Sequence, residues 1–338
     1  HCAETLQRLL KQLTNNFGVT MSALDVRRVV ASESKDEIVT FSSGPLRTPY
    51  SNEAIVNINT ISLNRGELRR AQSASDGKLQ IGWDFMGTLD KPAGDGSGPP
   101  VGTRVVGFSP RMEGWAEQIS IATSYIAPIP ASVSNVQAAT TPVAGLTALH
   151  AVDAGIGILG RKALITGATG GVGMFAIQLA ALAGALPYAQ IRRLDQKSFI
   201  EKLGEFPIIV TVDGDALADH GQYRLIIDGV SGSILKKAIE ALGPDGMCVC
   251  YGVTDTPEVP IDIGMFMRIG LAQIMGFHLY AKSETSPPSE NLPRLLTLIE
   301  NGSLNCVIER ESSWNEINRI AQDLIDRKFL GKAVLHID

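Results

Sequence analysis

The stretch Ala163-Leu-Ile-Thr-Gly-Ala-Thr-Gly-Gly-Val-Gly173 is an apolar segment that runs into a glycine-rich turn, and a helix-length apolar run follows from about Met174. Dinucleotide-binding folds have this order, because free N–H groups at a helix start face a pyrophosphate. Gly170 would let the backbone approach the phosphates, and Gly173 would let the helix pack closely on the strand. The predicted cofactor-binding residues of this turn are Ala168, Thr169, Gly170, Gly171, Val172 and Gly173. The alternative is a tight strand-to-helix turn without a ligand.

The pattern on either side of the turn predicts two domains. From residue 145 to 280, helix-length apolar stretches alternate with buried strands such as RLIIDGV and MCVCYGV, which indicates a doubly wound parallel α/β sheet of the Rossmann type. From Val26 to about Thr140 the apolar runs are short and separated by turns, which favours a compact β-barrel-like domain. We expect this domain to begin near residue 21 and to end at residue 144.

Residues 1–20 carry a short helical leucine pattern that ends before Met21. We interpret them as an N-terminal extension or an artificial remnant, with a partner-binding helix as the alternative.

Composition excludes several classes of function. The 338 residues carry a formal net charge of −5, so nothing favours a nucleic-acid partner. No apolar run reaches the ~20 residues that span a bilayer, and no secretory leader is evident, so we expect no membrane partner and a cytoplasmic location. The four cysteines lack zinc-site spacing. Cys248 and Cys250 lie in one strand-like run, and we expect them to be core residues on opposite faces of the sheet.

The strand after the glycine turn indicates the cofactor. NAD-preferring sites place an acidic residue ~20 positions past the glycines, but here Arg192 and Arg193 occupy that place. Guanidinium groups bind a 2′-phosphate, so we expect NADP(H). The alternative is that Arg192 and Arg193 are a solvated basic pair without a ligand. Asp195 lies close enough that NAD(H) remains an alternative cofactor. The carboxyl ends of other strands add Asp228, Gly252, Val253 and Thr254 as cofactor-binding candidates.

Several motifs in a fixed order resemble the medium-chain dehydrogenase/reductase superfamily, and within it the zinc-free quinone oxidoreductase and enoyl-reductase-like branch. They are Gly145–Leu149, Ala168–Gly173, Tyr223–Val230, Leu242–Gly252 and Gly331–Leu335. The resemblance covers nearly all of Val26 to Asp338. It implies that a GroES-like catalytic domain comprises residues 21–144 and 281–338 and packs on a Rossmann domain at residues 145–280. Thr147 is implied to lie near the nicotinamide ribose and Phe277 near the nicotinamide. It also implies a homodimer, formed through the edge strand near Ile274–Leu279.

The same resemblance shows departures at the zinc ligands. Asn64 stands at the position of the first cysteine ligand, Trp83 at that of the histidine, and Val143 or Ala144 at that of the last cysteine. Indole and alkyl groups offer no lone pair to zinc, and one amide is a poor ligand. We therefore expect no metal.

Without a Lewis acid, hydride delivery to an electrophilic acceptor is easier than oxidation of an alcohol. We expect a zinc-independent, NADPH-dependent oxidoreductase that reduces a quinone or an α,β-unsaturated carbonyl compound. The Asn64 amide would donate to the acceptor oxygen and Trp83 would form an apolar wall, with turn capping and core packing as their alternatives. Asp84 is a weaker candidate that would hold Arg65 or Arg104.

Many quinone-reductase relatives carry a tyrosine a few residues after this asparagine, but here the run is Glu67-Leu-Arg-Arg-Ala71. The proton donor is therefore unassigned. Two other functions stay open: a non-catalytic NADPH-binding regulatory protein, and an alcohol or sugar dehydrogenase.

Overall fold

The computed structural model describes residues 25–74 and 77–338. The expected N-terminal extension, residues 1–20, lies outside the described residues. No helix in the described part of the chain is both long and apolar enough to cross a membrane.

Fifteen strands occur among the described residues. They are β1 (Asp25–Ala31), β2 (Val39–Pro45), β3 (Glu53–Ser62), β4 (Asp84–Lys91), β5 (Arg104–Phe108), β6 (Gln118–Ala122), β7 (Ile126–Pro128), β8 (Lys162–Ile165), β9 (Leu186–Ile191), β10 (Ile208–Val210), β11 (Tyr223–Asp228), β12 (Leu242–Cys250), β13 (Gln273–Gly276), β14 (Ile308–Ser313) and β15 (Lys332–His336).

The α-helices of the same residues are α1 (Arg65–Ser73), α2 (Asn135–Ala139), α3 (Leu146–Asp153), α4 (Gly171–Leu182), α5 (Lys197–Glu201), α6 (Gly232–Glu240), α7 (Ile263–Ile269), α8 (Leu279–Thr285), α9 (Pro288–Glu300) and α10 (Ile317–Ile325). A π-helical turn, Thr141–Gly145, leads directly into α3.

Six strands form a parallel sheet in the order β10-β9-β8-β11-β12-β13. The order reverses between β8 and β11, as it does in the doubly wound Rossmann fold. The side chains of Ala163, Leu164 and Ile165 in β8 are fully buried, because helices cover both faces of the sheet. The fold class predicted from the alternating pattern is confirmed. The short strand β10 was not predicted, although residues 208–212 are a run of β-branched residues that favours a strand.

A second, mostly antiparallel sheet is built from both ends of the described chain. Its order is β14-β15-β3-β4-β5-β7, with β6 also paired to β3, and β1 and β2 form a separate hairpin. β15 pairs with β3, which brings Lys332 at its start close to the turn that follows β3. This sheet packs beside the Rossmann sheet, and the functional cavity lies where the two parts meet.

The expected orientation of the two strand cysteines is wrong. Residues two apart in a strand point to the same face, and the Sγ atoms of Cys248 and Cys250 lie 3.9 Å apart. Cys248 is fully buried and Cys250 is half-buried, so both are packing residues, as expected.

Candidate functional site

A cavity of about 1030 Å³ extends along the carboxyl ends of the parallel strands. One end is formed by the glycine turn after β8, and the other by Trp83, Phe108 and Tyr280. Ligands of open α/β sheets bind at this edge, where the strand order reverses. The cavity is therefore placed to hold a nucleotide at one end and a smaller molecule at the other.

The glycine turn shows why its residue types are needed. Gly167 has φ +57°, a left-handed conformation that favours glycine. A Cβ atom on Gly173 would lie 2.5 Å from the carbonyl oxygen of Gly167 and 2.7 Å from Cα of Ala168, so α4 packs on the turn too closely for a side chain. The helix begins at Gly171, three residues before the expected start. Gly170 is the N-cap of this helix, and no side chain caps the helix start. The N–H groups of the first turn are therefore available to an anion.

Most of the predicted cofactor residues line the cavity. These are Thr169, Gly170, Gly171, Val172, Arg192, Arg193, Gly252, Val253, Thr254 and Phe277. Ala168 and Gly173 do not: both are buried beneath the turn, and their role is to shape it.

Asp228 does not line the cavity either, although it ends a parallel strand as expected. It is fully buried, and its carboxylate accepts hydrogen bonds from the Thr166 hydroxyl at 2.6 Å and from the Ser231 backbone N–H at 2.9 Å. Ser231 has φ +69°, a strained value for a residue with a side chain. The expected ligand contact is therefore replaced by a structural one, in which Asp228 fixes the loop that borders the cavity.

Guanidinium groups are concentrated on the cavity wall. Those of the described residues come from Arg65, Arg69, Arg70, Arg192, Arg193 and Arg327. Burial lowers the pKa of Arg65, and the charges of Arg69 and Arg192 lower it further, which shows that these cations lie near one another. The Arg193 Nε donates to the Asp195 carboxylate at 3.1 Å, so the acidic residue that kept NAD(H) open is paired with an arginine. This wall favours an anionic ligand.

A buried polar cluster forms the floor of the cavity between its two ends. The Lys332 ammonium donates to the Leu63 carbonyl at 3.0 Å, to the Asn64 Oδ1 at 2.7 Å and to the Asp84 carboxylate at 3.2 Å. The Asn64 amide nitrogen donates to Asp84 at 2.8 Å and to Glu67 at 3.2 Å. Both amide hydrogens are thus taken up within the protein, and the expected donation from Asn64 to an acceptor is not supported. Asp84 also holds Lys332, and not Arg65 or Arg104 as expected.

Burial dominates the electrostatics of this cluster. Desolvation and the neighbouring Asp84 charge raise the pKa of Glu67 well above its usual value. Burial also raises the pKa of Asp84, although the Lys332 charge opposes it. Lys332 and Asp84 have side chains that are 2% and 0% exposed, so neither charge is solvated and each depends on the other.

The cluster does not fit a zinc ion. The donor set would need lone pairs from positions 64, 83 and 143, but the Asn64 oxygen accepts from Lys332 and the Trp83 Nε1 donates its hydrogen to the Tyr280 hydroxyl. Val143 contributes a backbone N–H that donates to Asp84 at 2.9 Å. The described residues hold no group of three His, Cys, Asp or Glu side chains arranged for a metal.

Aromatic side chains enclose the other end of the cavity. Trp83 lies with its ring centroid 6.0 Å from that of Tyr280 in an edge-to-face arrangement, and Phe108 lies 5.4 Å from Tyr280. Trp83 packs on both hydrophobic cores and also lines the cavity, so its position is compatible with core packing and with the expected apolar wall. Thr147 is buried and lines the same cavity, as does the half-buried Phe277.

Sequence reasoning missed several residues of this site. Gln190 lies buried under the glycine turn, accepts from the Gly167 N–H at 2.8 Å and donates to the Thr211 carbonyl at 2.8 Å. The signal for Gln190 was its polar side chain within an otherwise apolar strand, because a buried amide needs hydrogen-bond partners. Lys332 and Glu67 had a comparable signal, a charge inside or beside an apolar run. Tyr280 had none, because its role depends on a contact with a residue 197 positions away.

Comparison with known proteins shows what the chain is similar to. Residues 171–301 match the family model described as zinc-binding dehydrogenase. A phenolphthiocerol/phthiocerol polyketide synthase subunit of Mycobacterium tuberculosis is 23% identical over 306 residues, which cover 86% of this chain and 14% of that protein. The chain thus spans about one seventh of that relative. An acryloyl-coenzyme A reductase of Sulfurisphaera tokodaii is 24% identical over 232 residues, or 68% of this chain and 67% of that protein.

A solved structure shares the fold over nearly its full length. The quinone oxidoreductase from Coxiella burnetii superposes with a TM-score of 0.80 at 22% identity, covering 93% of this chain and all of that one. The likeness includes the Rossmann sheet and the separate β sheet. Proteins of this family generally bind a nicotinamide cofactor, which the glycine turn and the cationic wall accommodate. The comparisons thus show similarity to zinc-binding dehydrogenases over residues 171–301 and, over nearly the whole chain, the fold of a quinone oxidoreductase.

Proposed function

We propose that this protein is an NADPH-dependent, zinc-independent reductase that transfers hydride to a quinone or to the β-carbon of an α,β-unsaturated carbonyl compound. The observation that carries the proposal is the single cavity that joins a phosphate-binding turn, a cationic wall and an aromatic-lined end. The named activities of the relatives support it, because they include quinone and acryloyl-CoA reduction.

The charge of the cavity supports NADPH over NADH. Arg192 follows β9 at the position where a ribose-binding carboxylate favours NAD, and its guanidinium has no hydrogen-bond or ion-pair partner among the described residues. The nearby charges of Arg65 and Arg69 add to the local positive potential. A 2′-phosphate would neutralise these groups through charge-assisted hydrogen bonds.

The protein's own part in the reaction is positioning. NADPH, when bound, supplies the hydride. The N–H groups at the start of α4 and the guanidinium of Arg192 would hold its phosphates, and Thr147 would contact the ribose beside the nicotinamide. Trp83, Phe108 and Phe277 would exclude water and hold an acceptor flat, which favours transfer because reacting atoms in contact avoid the entropy cost of an encounter. We also propose that the protein is a homodimer. We further propose a reducing, cytoplasmic setting, which the free thiols of Cys248, Cys250 and Cys306 support.

The test is NADPH oxidation at 340 nm by chelator-treated protein. The acceptors are 1,4-benzoquinone, 9,10-phenanthrenequinone, 4-phenylbut-3-en-2-one and crotonyl-CoA, with NADH in parallel. We expect turnover that survives chelation and prefers NADPH. If NADPH binds but no acceptor is reduced, the protein is a cofactor-binding regulator. If the chelator abolishes turnover, an alcohol dehydrogenase with a metal is favoured and the proposal fails.

A variant tests the cofactor preference separately. Arg192→Ala should weaken NADPH binding about tenfold, the value of one charge-assisted hydrogen bond, and leave NADH binding unchanged. Arg161→Ala is the matched control. Arg161 is exposed and directly precedes β8, so it lies at the amino ends of the parallel strands, whereas the cavity lies at their carboxyl ends. Equal losses for NADPH and NADH in Arg192→Ala would contradict recognition of a 2′-phosphate.

A further inference from the structure

A reductase of conjugated carbonyl compounds needs a hydrogen-bond donor at the acceptor oxygen, because negative charge develops there as hydride adds. The Asn64 amide cannot provide one, since both of its hydrogens are bound to carboxylates. The three donor hydrogens of Lys332 are likewise directed to Leu63, Asn64 and Asp84. The donor must come from another residue that lines the aromatic end of the cavity.

Tyr280 has a hydroxyl hydrogen free for this role. The Trp83 Nε1 donates to its oxygen, and an indole N–H can only donate, so the phenol is the acceptor in this contact. The Arg70 guanidinium also lies beside the phenol oxygen, and it too can only donate. The Glu67 carboxyl group acts on Tyr280 through its charge and makes no hydrogen bond to the phenol; its oxygens accept from the backbone N–H groups of Asn64 and Trp83. Among the described residues, no acceptor is recorded for the Tyr280 hydroxyl hydrogen, and Tyr280 lines the cavity.

The position and acidity of Tyr280 distinguish it from the other hydroxyl groups of the cavity. Its ring is held by contacts with Trp83, Phe108 and the parallel ring of His278, whose centroid lies 5.0 Å away. Thr147 is an alcohol, and alcohols are far weaker acids than phenols. Tyr251 lies against Gly229 in the Rossmann half, where a Cβ atom would be 2.3 Å from its hydroxyl oxygen.

The surroundings of the phenol oxygen suit a group that loses its proton during a reaction. Burial, and to a lesser extent the charge of Glu67, raise the pKa of Tyr280, so the phenol is protonated at neutral pH. The hydrogen bond from Trp83 and the charge of Arg70 oppose that rise, because both stabilise a negative oxygen. The same two donors would stabilise the tyrosinate that remains after proton transfer.

We propose that Tyr280 is the catalytic acid of this site, donating its hydroxyl hydrogen to the carbonyl oxygen of the acceptor; this rests on the proposed reductase function. Hydride from the reduced nicotinamide forms the new C–H bond at the β-carbon, and the π electrons of the C=C bond move to give an enolate. The O–H bond of Tyr280 breaks, its proton passes to the enolate oxygen, and the enol leaves to become the saturated ketone in water. The tyrosinate recovers a proton from solvent.

The first experiment measures the hydrogen bond without turnover. The probe is 4-phenylbutan-2-one with a ¹³C-labelled carbonyl, at saturating concentration, in the protein with NADP⁺ and in the protein alone. Infrared difference spectra should show the carbonyl stretch shifted to lower wavenumber in the wild type and unshifted in Tyr280→Phe, which keeps the ring. Tyr125→Phe is the matched control, because Tyr125 packs on the same Phe108 but does not line the cavity. The control should retain the shift.

The second experiment measures reduction of 4-phenylbut-3-en-2-one. Tyr280→Phe should lower kcat/KM about 100-fold or more, with unchanged NADPH affinity and melting temperature, while Tyr125→Phe stays at the wild-type value. A carbonyl band at the same wavenumber in wild type and Tyr280→Phe, or equal kcat/KM values, would overturn the assignment of Tyr280. If the wild type reduces no acceptor, the proposed function fails, and the infrared shift still decides whether Tyr280 contacts a carbonyl.

Discussion

At the residue scale, the hydrogen bonds among Asn64, Asp84 and Lys332 decide what each side chain can offer a ligand. Asn64 and Trp83 were identified from the positions of missing zinc ligands, and both line the cavity. The hydrogen bonds of Asn64 could not be foreseen, because one partner, Asp84, is 20 residues away and another, Lys332, is 268 residues away. Contacts with residues far away in the sequence determine which hydrogen-bond donors of a side chain remain free. A local motif carries no information about such contacts.

The buried pair of Lys332 and Asp84 gives a prediction at this scale. Lys332→Met should lower the free energy of unfolding by about 3–5 kcal/mol, because it leaves the Asp84 charge buried without its partner. The double variant Lys332→Met with Asp84→Asn should be more stable than Lys332→Met alone, since no buried charge is left unpaired. Urea unfolding followed by tryptophan fluorescence measures both values.

Lys328→Met is the control for this pair, because Lys328 is exposed and its ion pairs with Asp323 and Asp326 lie at the surface. It should change the free energy of unfolding by less than about 0.5 kcal/mol. A double variant less stable than Lys332→Met would show that Asp84 is neutral in the native protein.

At the element scale, the alternating apolar pattern was sufficient for the Rossmann sheet. The strands β8, β11 and β12 overlap the predicted runs, because their central residues, such as Leu164, Ile226 and Val249, are apolar and fully buried. The start of α4 was predicted three residues too late, at Met174, because glycine disfavours helix. Tertiary packing overrides that preference, since the close approach of helix and turn admits only glycine at residue 173.

The packing of this helix on the turn gives the second prediction. Gly173→Ala should weaken NADPH binding at least tenfold and lower the melting temperature, because its Cβ atom would overlap backbone atoms of Gly167 and Ala168, which cannot rotate away. Fluorescence titration with NADPH and a thermal melt provide the two measurements.

Gly94→Ala is the control, because Gly94 is exposed far from the glycine turn and a Cβ atom there would lie 3.4 Å from its nearest neighbour, the Ser51 carbonyl oxygen, which is an ordinary contact. It should leave both values unchanged. Wild-type NADPH affinity in Gly173→Ala would mean that the turn can shift without loss of the phosphate site.

At the scale of the whole molecule, the local pattern predicted the two sheets. It did not predict that strands from the end of the chain join the sheet formed by the first part of the chain. β15 pairs with β3 across more than 250 positions and carries Lys332 to the floor of the cavity. The resemblance to a known family supplied the assignment of residues 281–338 to the first domain. Pairing between distant strands leaves no periodicity in the local sequence from which it could be predicted. The domain boundaries at residues 144 and 280 stay predictions.

The exposed edge of the Rossmann sheet gives the last prediction, which concerns assembly. We propose that a second copy of the chain pairs with β13, the edge strand at Gln273–Gly276. One side of β13 bonds to β12 and the other side has no strand partner among the described residues. Ile274 is 39% exposed, and Met267 and Leu271 nearby are 74% and 80% exposed. Two-fold symmetry lets an edge strand pair with itself, which removes unpaired N–H and C=O groups and covers this apolar surface.

Light scattering after size exclusion should give twice the chain mass of 36.1 kDa for the wild type. Ile274→Lys should give the monomer, because a buried ammonium at the two-fold axis would face its own copy. Val210→Lys is the matched control, since Val210 lies on β10 at the opposite edge of the same sheet and is 41% exposed. It should stay dimeric. A monomeric wild type, or a dimer that persists in Ile274→Lys, would show that β13 does not pair with its copy.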